Sequence, residues 1–382
     1  MKALFLIFHG FSESSGITKK IRSQVKALKE CNLNIYTCHY EVLPNKHRVW
    51  MINDTVLKDL GSGKVAKIKK RVSYEFISQF VAEEKIEFVY MRSYHNANPF
   101  TIKLVKQMRA SGAKVVMEIP TYPYDQEYIT PAMKLDLCVD KLFRHKLAQT
   151  LNAIITFTNH KSIFGQKTIR ISNGIDFSSI SMKQNRNDTS RELHLIAVAE
   201  IHYWHGFDRL IHGLGKYYQD ITNNYKVYFH LVGAFSGQRE KQEIMSAIHS
   251  YSLEPYVILH GAMHGHELDE LFEKCDFAIG SLARHRSNIT HIKTLKNREY
   301  AARGIPFIYS EIDEDFESMP YILKAPADES AVDIVRIIKF AQKEWQPSLI
   351  RDSIIDLSWT IQMRKIVLSF LNKNNTIKNE TR

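Results

Sequence analysis

Strand-like apolar runs alternate with segments of helical period along this chain, and the alternation stops once and then starts again. In the first half, the apolar runs lie at 3–8, 33–38, 87–91, 114–119 and 153–157. The helical patterns of that half lie at 17–30, 65–84, 98–110 and 133–150. Alternation of this kind predicts a parallel sheet with right-handed helical crossovers.

The same alternation resumes after a polar stretch from Ser178 to Arg191, whose Ser, Asn and Asp residues indicate a linker or loop. Strand-like runs follow at 193–199, 226–232, 256–259, 276–280 and 306–309. Helical patterns follow at 207–218, 238–250, 266–274, 293–303, 329–344 and 359–371. A chain of 382 residues is long enough for two domains. The sequence therefore predicts two doubly wound α/β domains in series.

The loops that follow strands carry the candidate binding residues, because open parallel sheets bind ligands at the carboxyl ends of their strands. In the first half, Ser15 and Gly16 stand at the start of a helix, whose free N–H groups could face an anion or an acceptor. Tyr94 and Tyr122 follow two later strands, and their rings suit stacking on a sugar. We expect these four residues to contribute to acceptor binding.

Three residues are candidate catalytic groups: His95, Glu118 and Arg286. The first two lie in the loops that also carry the tyrosines, although a single His or Glu is often structural. No acid–base pair stands out in the sequence. A mechanism that depends mainly on positioning and electrostatic stabilisation would need none.

The stretch from Ser281 to Pro306 is the richest in chemistry. A polar loop follows the strand at 276–280, and a helix begins near Lys293, so helix N-terminal amides and nearby cations could hold a diphosphate. A carboxylate in that helix could accept two ribose hydroxyls. The candidate donor-binding residues here are His291, Thr294, Leu295, Lys296, Arg298 and Glu299. The alternative is a charged surface helix.

Several segments of the chain resemble the retaining GT-B glycosyltransferases of family four (glycosyl transferases group 1), in a branch that builds bacterial surface polysaccharides. The most specific is Leu295-Lys-Asn-Arg-Glu-Tyr-Ala-Ala-Arg-Gly-Ile-Pro-Phe307. The others are Ser172-Asn-Gly-Ile-Asp176, Trp204-His-Gly-Phe-Asp-Arg-Leu-Ile211, Glu118-Ile-Pro-Thr-Tyr-Pro-Tyr-Asp125 and Leu357-Ser-Trp359. Together these segments span nearly the whole chain.

This resemblance implies a GT-B fold, in which two Rossmann-like doubly wound α/β domains face each other. It implies an acceptor-binding domain at 1–172 and a nucleotide-sugar-binding domain at 173–358. The remaining segment, 359–382, is then a crossover helix that returns to the first domain, followed by a tail.

The resemblance also implies the reaction. A sugar would pass, with retention of configuration, from a nucleotide diphosphate-sugar to a glycan, lipid-linked or protein acceptor, in surface polysaccharide or glycoconjugate synthesis. A UDP-sugar is favoured over a GDP-sugar as the donor, and no metal cofactor is expected.

The chain departs from the family pattern at three positions. Glu299 matches the second glutamate of the family's E-x7-E motif, which binds the ribose, but the first glutamate falls at His291. The Arg and Lys that hold the donor phosphates in the family fall at Glu200 and His205. Diphosphate binding is therefore expected to shift to helix amides and to Lys296, Arg298 and Arg286, with His205 contributing when it is protonated.

These departures leave an alternative open, namely a non-catalytic GT-B partner that stabilises another glycosyltransferase. A GT-B nucleotide-sugar epimerase, which would need no acceptor, is a further alternative. A nucleic-acid binder fits poorly, because the chain has no recognisable nucleic-acid-reading motif. We therefore expect no nucleic-acid partner.

Positive charge is concentrated in the first half of the chain. Residues 1–170 carry 27 Lys and Arg against 14 Asp and Glu, whereas the remainder carries 25 against 27. No segment approaches the ~20 apolar residues of a membrane helix, and the four cysteines form no close metal-type pair. We expect a cytoplasmic protein that associates peripherally with an anionic membrane surface through the basic run at 64–71, whose alternative is a solvated helix face.

Overall fold

The computed structural model describes residues 1–11, 16–93, 97–128, 130–184 and 191–379. The chain forms two compact units. The first consists of Met1–Ser172 together with the C-terminal helix, and the second consists of Asn173–Ser358. Each unit is a sheet with its own hydrophobic core.

Within the described residues of the first unit, the strands form one nine-stranded sheet in the order β4-β3-β2-β1-β5-β6-β7-β9-β8. These strands are β1 Lys2–Ile7, β2 Asn34–Val42, β3 Arg48–Ile52, β4 Thr55–Asp59, β5 Phe88–Arg92, β6 Lys114–Ile119, β7 Ala153–Thr156, β8 Ser162–Ile163 and β9 Gln166–Arg170. Strands β2, β3 and β4 form an antiparallel meander and β8 pairs antiparallel with β9, while all other pairings are parallel.

The centre of this sheet is apolar on both faces. The β1 residues from Ala3 to Ile7 are all fully buried, because helices cover both faces of a parallel sheet. The helices of this part of the chain are α1 Gly16–Glu30, α2 Gly63–Val72, α3 Glu75–Glu83, α4 Pro99–Ala110 and α5 Pro131–Thr150.

Two features of the first unit differ from the sequence prediction. The helical pattern at 65–84 is two helices, α2 and α3, separated at Ser73 and Tyr74. Tyr74 is buried against Trp50, with ring centroids 6.0 Å apart, so packing overrides the continuous helical period. The β3–β4 hairpin was not predicted, although its alternating residues and the Asn53-Asp54 turn are typical of one.

The described strands of the second unit form a six-stranded, wholly parallel sheet in the order β12-β11-β10-β13-β14-β15. They are β10 Glu192–Val198, β11 Lys226–Val232, β12 Val257–Gly261, β13 Phe277–Ile279, β14 Phe307–Tyr309 and β15 Ile322–Lys324. The helices are α6 Phe207–Gln219, α7 Gln238–Ser250, α8 His266–Lys274, α9 Leu295–Arg303, α10 Ile334–Ala341 and α11 Pro347–Asp352. Two apolar clusters lie on opposite faces of the sheet.

The last helix, α12 Trp359–Asn379, belongs to the first unit and packs against α1. Gln362 accepts a hydrogen bond from the backbone N–H of Ser172, at 2.9 Å. The ring of Phe370 lies 5.7 Å from that of Phe88. None of the helices in the described residues combines the length and the apolar character that crossing a membrane would require.

Candidate functional site

The second sheet reverses its strand order between β10 and β13, and the loops that leave these two strands meet at their carboxyl ends. In open α/β sheets this is the position at which ligands bind. The backbone N–H of Leu282 donates to the carbonyl oxygen of His205 at 2.8 Å. A Cβ atom on Gly206 would lie 2.7 Å from the Cβ of Ala283, and Gly206 has a φ of 64°. Only glycine permits this close approach.

Helix α9 begins at this edge of the sheet. Thr294 is its N-cap and accepts a hydrogen bond from the backbone N–H of Asn297 at 3.5 Å, and Leu295 is the first helical residue. The helix therefore starts two residues later than the predicted Lys293. The remaining N-terminal amides and the helix dipole favour an anion at this position.

Three polar side chains at this edge have buried, unpartnered atoms. The Nζ of Lys296, the Oγ of Ser281 and both carboxylate oxygens of Glu311 have no hydrogen-bond partner among the described residues. Ser281 follows β13, Glu311 follows β14, and Lys296 lies in the first turn of α9. Native proteins rarely leave such groups unsatisfied, so a cluster of them indicates a site completed by a ligand.

The charges in this cluster are close enough to perturb one another. Burial lowers the pKa of Lys296, and the charge of Arg284 lowers it further, while Glu311 opposes the shift. Burial also raises the pKa of Glu311, against the opposing charges of Arg284 and Lys296. A bound anion would favour the charged ammonium of Lys296.

Sequence reasoning identified Lys296 but missed Ser281, Arg284 and Glu311. The available signal was positional, because Glu311 follows the predicted strand at 306–309 in the way that the other candidates follow theirs. Its burial and its missing partners depend on three-dimensional packing, which the sequence pattern does not reveal.

The structure contradicts the expectation that His205 contributes as a cation. Only 5% of its surface is exposed, and burial, together with the charges of Lys296 and Arg284, lowers its pKa well below the ordinary value. Its Nδ1 accepts a hydrogen bond from the backbone N–H of His202 at 3.1 Å, which requires the neutral form at that nitrogen. His205 is therefore a neutral packing residue beside the cluster.

Arg286, predicted to act in catalysis and phosphate binding, is paired with two acidic side chains. Its guanidinium forms two hydrogen bonds to the carboxylate of Asp208, at 2.9 and 2.7 Å, and further bonds to Glu329. These bonds raise the pKa of Arg286. Two carboxylates therefore neutralise the positive charge of Arg286. The pair with Asp208 holds the loop after β13 against α6.

The guanidinium of Arg298 is likewise already paired within the protein. It is fully buried and paired with Asp313 and Asp315, and its Nε donates to the backbone oxygen of Asn173 at 3.0 Å. Its role is to anchor the first residues of the second unit to α9. Its guanidinium is thus engaged by oxygens of the protein, and we do not propose Arg298 as a diphosphate ligand.

Glu299 and His291 lie nearer to solvent. The Oε1 of Glu299 accepts a bond from Arg303 at 3.1 Å, and the side chain remains 29% exposed. Glu299 lies one turn after Lys296, so the two side chains share a face of α9. His291 is exposed, and its Nδ1 lies 3.0 Å from the Oγ1 of Thr290.

In the first unit, Glu118 is fully buried, and both of its carboxylate oxygens have partners. Its carboxylate lies 3.2 Å from the Nζ of Lys20, pairs with Arg92, and accepts hydrogen bonds from Gln24 at 2.7 Å and from Tyr90. Burial alone would raise the pKa of Glu118, but these charges and hydrogen bonds outweigh it and lower the pKa to about 2. Glu118 is thus a structural group that is ionised near neutral pH and has no contact with solvent, and its predicted catalytic contact with substrate is not supported.

The acceptor residues of the first unit are only partly described. Tyr122 is half-buried and forms edge contacts with His160 at 4.8 Å and Phe164 at 5.6 Å, beyond the ends of β6 and β7. Gly16 is exposed as the first residue of α1. The predicted residues Ser15, Tyr94 and His95 lie outside the described residues. Across the described ranges, no group of three His, Cys, Asp or Glu residues is arranged to hold a metal ion.

Comparison with known proteins places this architecture among glycosyltransferases of the GT-B fold. No family model and no curated protein sequence matches the chain. Sucrose-phosphate synthase from Thermosynechococcus elongatus superposes with a TM-score of 0.68 at 12% identity, covering 98% of this chain and all of its own. Anabaena HepE, solved in complex with UDP, superposes with a TM-score of 0.61 at 15% identity. The superposition covers 97% of this chain and the whole HepE chain. The catalytic domain of Arabidopsis thaliana starch synthase IV, bound to ADP and acarbose, superposes with a TM-score of 0.64 at 12% identity. The superposition covers 96% of this chain and 97% of the starch synthase domain. These similarities confirm the predicted fold class, a GT-B α/β fold with two Rossmann-like parallel-sheet domains.

Proposed function

We propose that this protein is a glycosyltransferase that binds a nucleotide diphosphate-sugar in its second unit. The observation that carries the proposal is the buried, unpartnered Nζ of Lys296 beside Arg284 at the switch point of the sheet. A buried ammonium without a hydrogen-bonded partner is unfavourable, and the oxygens of a diphosphate would supply one. The UDP and ADP in the structures of HepE and starch synthase IV support a donor of this class.

Within this proposal Glu299 binds the ribose of the donor. Its Oε1 accepts hydrogen bonds from Arg303, and the side chain is 29% exposed, so the carboxylate could also accept hydroxyl groups. A UDP-sugar is the expected donor and no metal cofactor is required, because Lys296, Arg284 and the amides of α9 supply the positive potential that the diphosphate needs.

The proposed reaction proceeds with retention of configuration. The acceptor oxygen forms a bond to the anomeric carbon while the bond from that carbon to the diphosphate oxygen breaks. The proton of the acceptor hydroxyl passes to the departing diphosphate, which avoids the need for a carboxylate base. The cation beside the diphosphate stabilises the negative charge that develops there, which is an electrostatic contribution of the oxyanion-hole type.

The acceptor is proposed to be a glycan, lipid-linked or protein molecule that binds the first unit. Tyr122, with the rings of His160 and Phe164 around it, offers an aromatic surface beyond the ends of β6 and β7. Such rings combine an apolar face with polar edges and suit a sugar. The biological setting that we propose is bacterial surface polysaccharide or glycoconjugate synthesis.

We also propose that the first unit docks on the cytoplasmic face of an anionic membrane. Helix α2 exposes Lys64, Lys67 and Lys69 together with Val65 and Ile68, each of these two apolar residues being 63% exposed. Basic side chains contribute about 1 kcal/mol each near an anionic surface, and exposed apolar side chains add to that. Lys70 contributes less than the sequence suggests, because burial lowers its pKa to about 8 and its Nζ lies 4.0 Å above the ring of Tyr40.

Thermal shift with a panel of nucleotide-sugars, followed by hydrolysis of the best stabiliser, tests the donor chemistry. We expect one nucleotide class to raise the melting temperature and to be hydrolysed slowly without acceptor. Lys296→Ala should abolish the shift, whereas Lys216→Ala, which removes an exposed lysine of the same unit, should preserve it. Absence of stabilisation by every donor would refute the proposal. Stabilisation without hydrolysis or transfer would instead match a non-catalytic partner.

Co-sedimentation with anionic vesicles at low and high salt tests the membrane proposal. We expect binding at low salt that is lost at high salt and reduced in a Lys64, Lys67 and Lys69→Glu variant. The control reverses three exposed lysines of the second unit, Lys216, Lys241 and Lys339→Glu, and should still bind. Equal losses in both variants would assign the effect to net charge and contradict a docking surface on α2.

A further inference from the structure

Glu311 is held rigidly at the carboxyl edge of the second sheet. The residues on either side of it form backbone hydrogen bonds to the loop after β13: Ser310 N–H to the oxygen of Ser281 at 2.9 Å, and Ile312 N–H to the oxygen of Thr290 at 2.8 Å. The Nζ of Lys324 donates to the backbone oxygen of Glu311 itself. The main chain at Glu311 is therefore fixed, whereas its carboxylate oxygens have no partner from another described residue.

The carboxylate of Glu311 is exceptional among the buried acids of this unit that the structure describes. Glu311 is 3% exposed, and neither of its oxygens receives a hydrogen bond from another described residue. Asp313, two residues later and fully buried, pairs with Arg298 and accepts a bond from Asn297 at 3.1 Å. A buried carboxylate with vacant acceptor positions requires hydrogen-bond donors from elsewhere.

The neighbours of Glu311 indicate what kind of donor that is. Lys296 and Arg284 lie close enough for their charges to act on it, and these cations suit a phosphate. An ionised carboxylate repels phosphate but accepts bonds from hydroxyl groups. A ligand that places hydroxyls directly beside a diphosphate satisfies both requirements, and the sugar of a nucleotide-sugar does so. Ile312 also pairs with His291, the position at which the family pattern has a glutamate.

We propose that Glu311 accepts hydrogen bonds from hydroxyl groups of the donor's sugar, beside the diphosphate bound by Lys296. This inference rests on the proposed donor-binding function and assigns Glu311 the discrimination between a nucleotide-sugar and the bare nucleoside diphosphate. The diphosphate alone leaves the carboxylate unsatisfied and close to a like charge. The sugar-bearing donor satisfies it.

The test compares two ligands in calorimetric titrations: the best-stabilising nucleotide-sugar of the panel and its own nucleoside diphosphate. The native protein should bind the nucleotide-sugar more tightly. Glu311→Ala should reduce that advantage about 10- to 150-fold, the range for a hydrogen bond to a charged group, and leave binding of the diphosphate equal or tighter. Glu314→Ala, which removes an exposed carboxylate three residues later, should retain the advantage.

Three outcomes are distinguishable. Failure of both ligands to bind the native protein would overturn the proposed function and this inference with it. Binding of both ligands with an undiminished sugar advantage in Glu311→Ala would overturn the inference alone. Because alanine could leave a cavity, Glu311→Gln provides a second variant of nearly the same shape. A purely structural role for Glu311 predicts a lower melting temperature of ligand-free Glu311→Gln, whereas our assignment predicts an equal or higher one.

Discussion

Glu118 in the first unit and Glu311 in the second are both buried carboxylates at the carboxyl ends of sheet strands, yet their surroundings are opposite. Glu118 has two cations and two neutral hydrogen-bond donors around it, and its pKa is lowered to about 2. The carboxylate oxygens of Glu311 receive no hydrogen bond from another described residue, and burial raises the pKa of this carboxyl group. Both side chains are buried, one near the end of a strand and the other two residues after a strand, so the main difference between them lies in their partners.

This difference separates a structural group from a candidate ligand-binding group. A saturated buried ion cluster stabilises one arrangement of the chain and has no capacity left for a substrate. An unsaturated cluster raises the free energy of the empty protein and can recover that cost when a ligand binds. The same reasoning separates Lys296 from Arg298, which lie two residues apart on α9.

The largest expected effect follows from removing the saturated carboxylate. Glu118→Ala leaves the charges of Lys20 and Arg92 buried without their common anion, and we expect a loss of about 3–5 kcal/mol in the free energy of unfolding. Urea denaturation followed by circular dichroism measures this loss. A loss below about 1 kcal/mol would show that the network is dispensable, and would contradict the structural role that we assign to Glu118 in contrast to Glu311.

Much of the fold was predictable from the sequence because it depends on local periodicity. The strand at Lys226–Val232 and the helices at 238–250 and 266–274 match the structure at both ends. The β3–β4 hairpin was missed because the prediction relied on strand–helix alternation. The short strand β15 was missed because three residues, Ile322–Lys324, give too weak a pattern.

The sequence pattern points to the loops after strands as candidate binding positions, but it does not reveal which of their polar groups lack partners. Glu118, which lies within β6, was predicted as a site residue, whereas Glu311 was not. One of the hydrogen-bond donors to the Glu118 carboxylate, Gln24, is 94 positions away in the sequence. The acids that occupy Arg298 follow it by 15 and 17 positions, beyond the next strand. Which charges are already paired is a property of tertiary packing, and no local pattern encodes it.

The second largest effect concerns the unsaturated cation. Lys296→Ala should weaken binding of a nucleoside diphosphate about 10- to 150-fold, because a charge-assisted contact to phosphate is lost. Binding of the bare nucleoside should hardly change, since it has no phosphate. Calorimetric titration of both ligands decides the matter, and equal losses for the two would contradict a phosphate contact. The matched control is Arg298→Lys, whose loss should appear in stability before it appears in donor selectivity.

A smaller effect is expected at Glu299, one turn along α9. Its side chain is partly exposed and already shares Oε1 with Arg303, so the ribose contact that we propose is worth about tenfold in donor affinity, the lower end for such bonds. Glu299→Ala should weaken ribonucleotides by that factor and leave 2′,3′-dideoxyribonucleotides unaffected. Identical losses for the two kinds of sugar would exclude the ribose as the partner of Glu299.

The smallest expected effect is a difference between Glu118 and Glu311 in how each contributes to stability as the pH changes. Glu118 has a pKa lowered from its ordinary 4.5, so it stabilises the fold above pH 4.5 and that contribution is lost as the pH falls toward 2. Glu311 has a raised pKa, so its ionisation opposes folding as the pH rises above 4.5.

Glu311→Gln should therefore raise the free energy of unfolding by about 1 kcal/mol at pH 8 and leave it unchanged at pH 4, since an unsatisfied buried charge is removed. Glu118→Gln should lose most at pH 8 and progressively less toward pH 3. Urea unfolding at pH 3, 4, 6 and 8 compares the two variants, and parallel pH profiles would mean that the two carboxylates do not differ in the way their partners indicate.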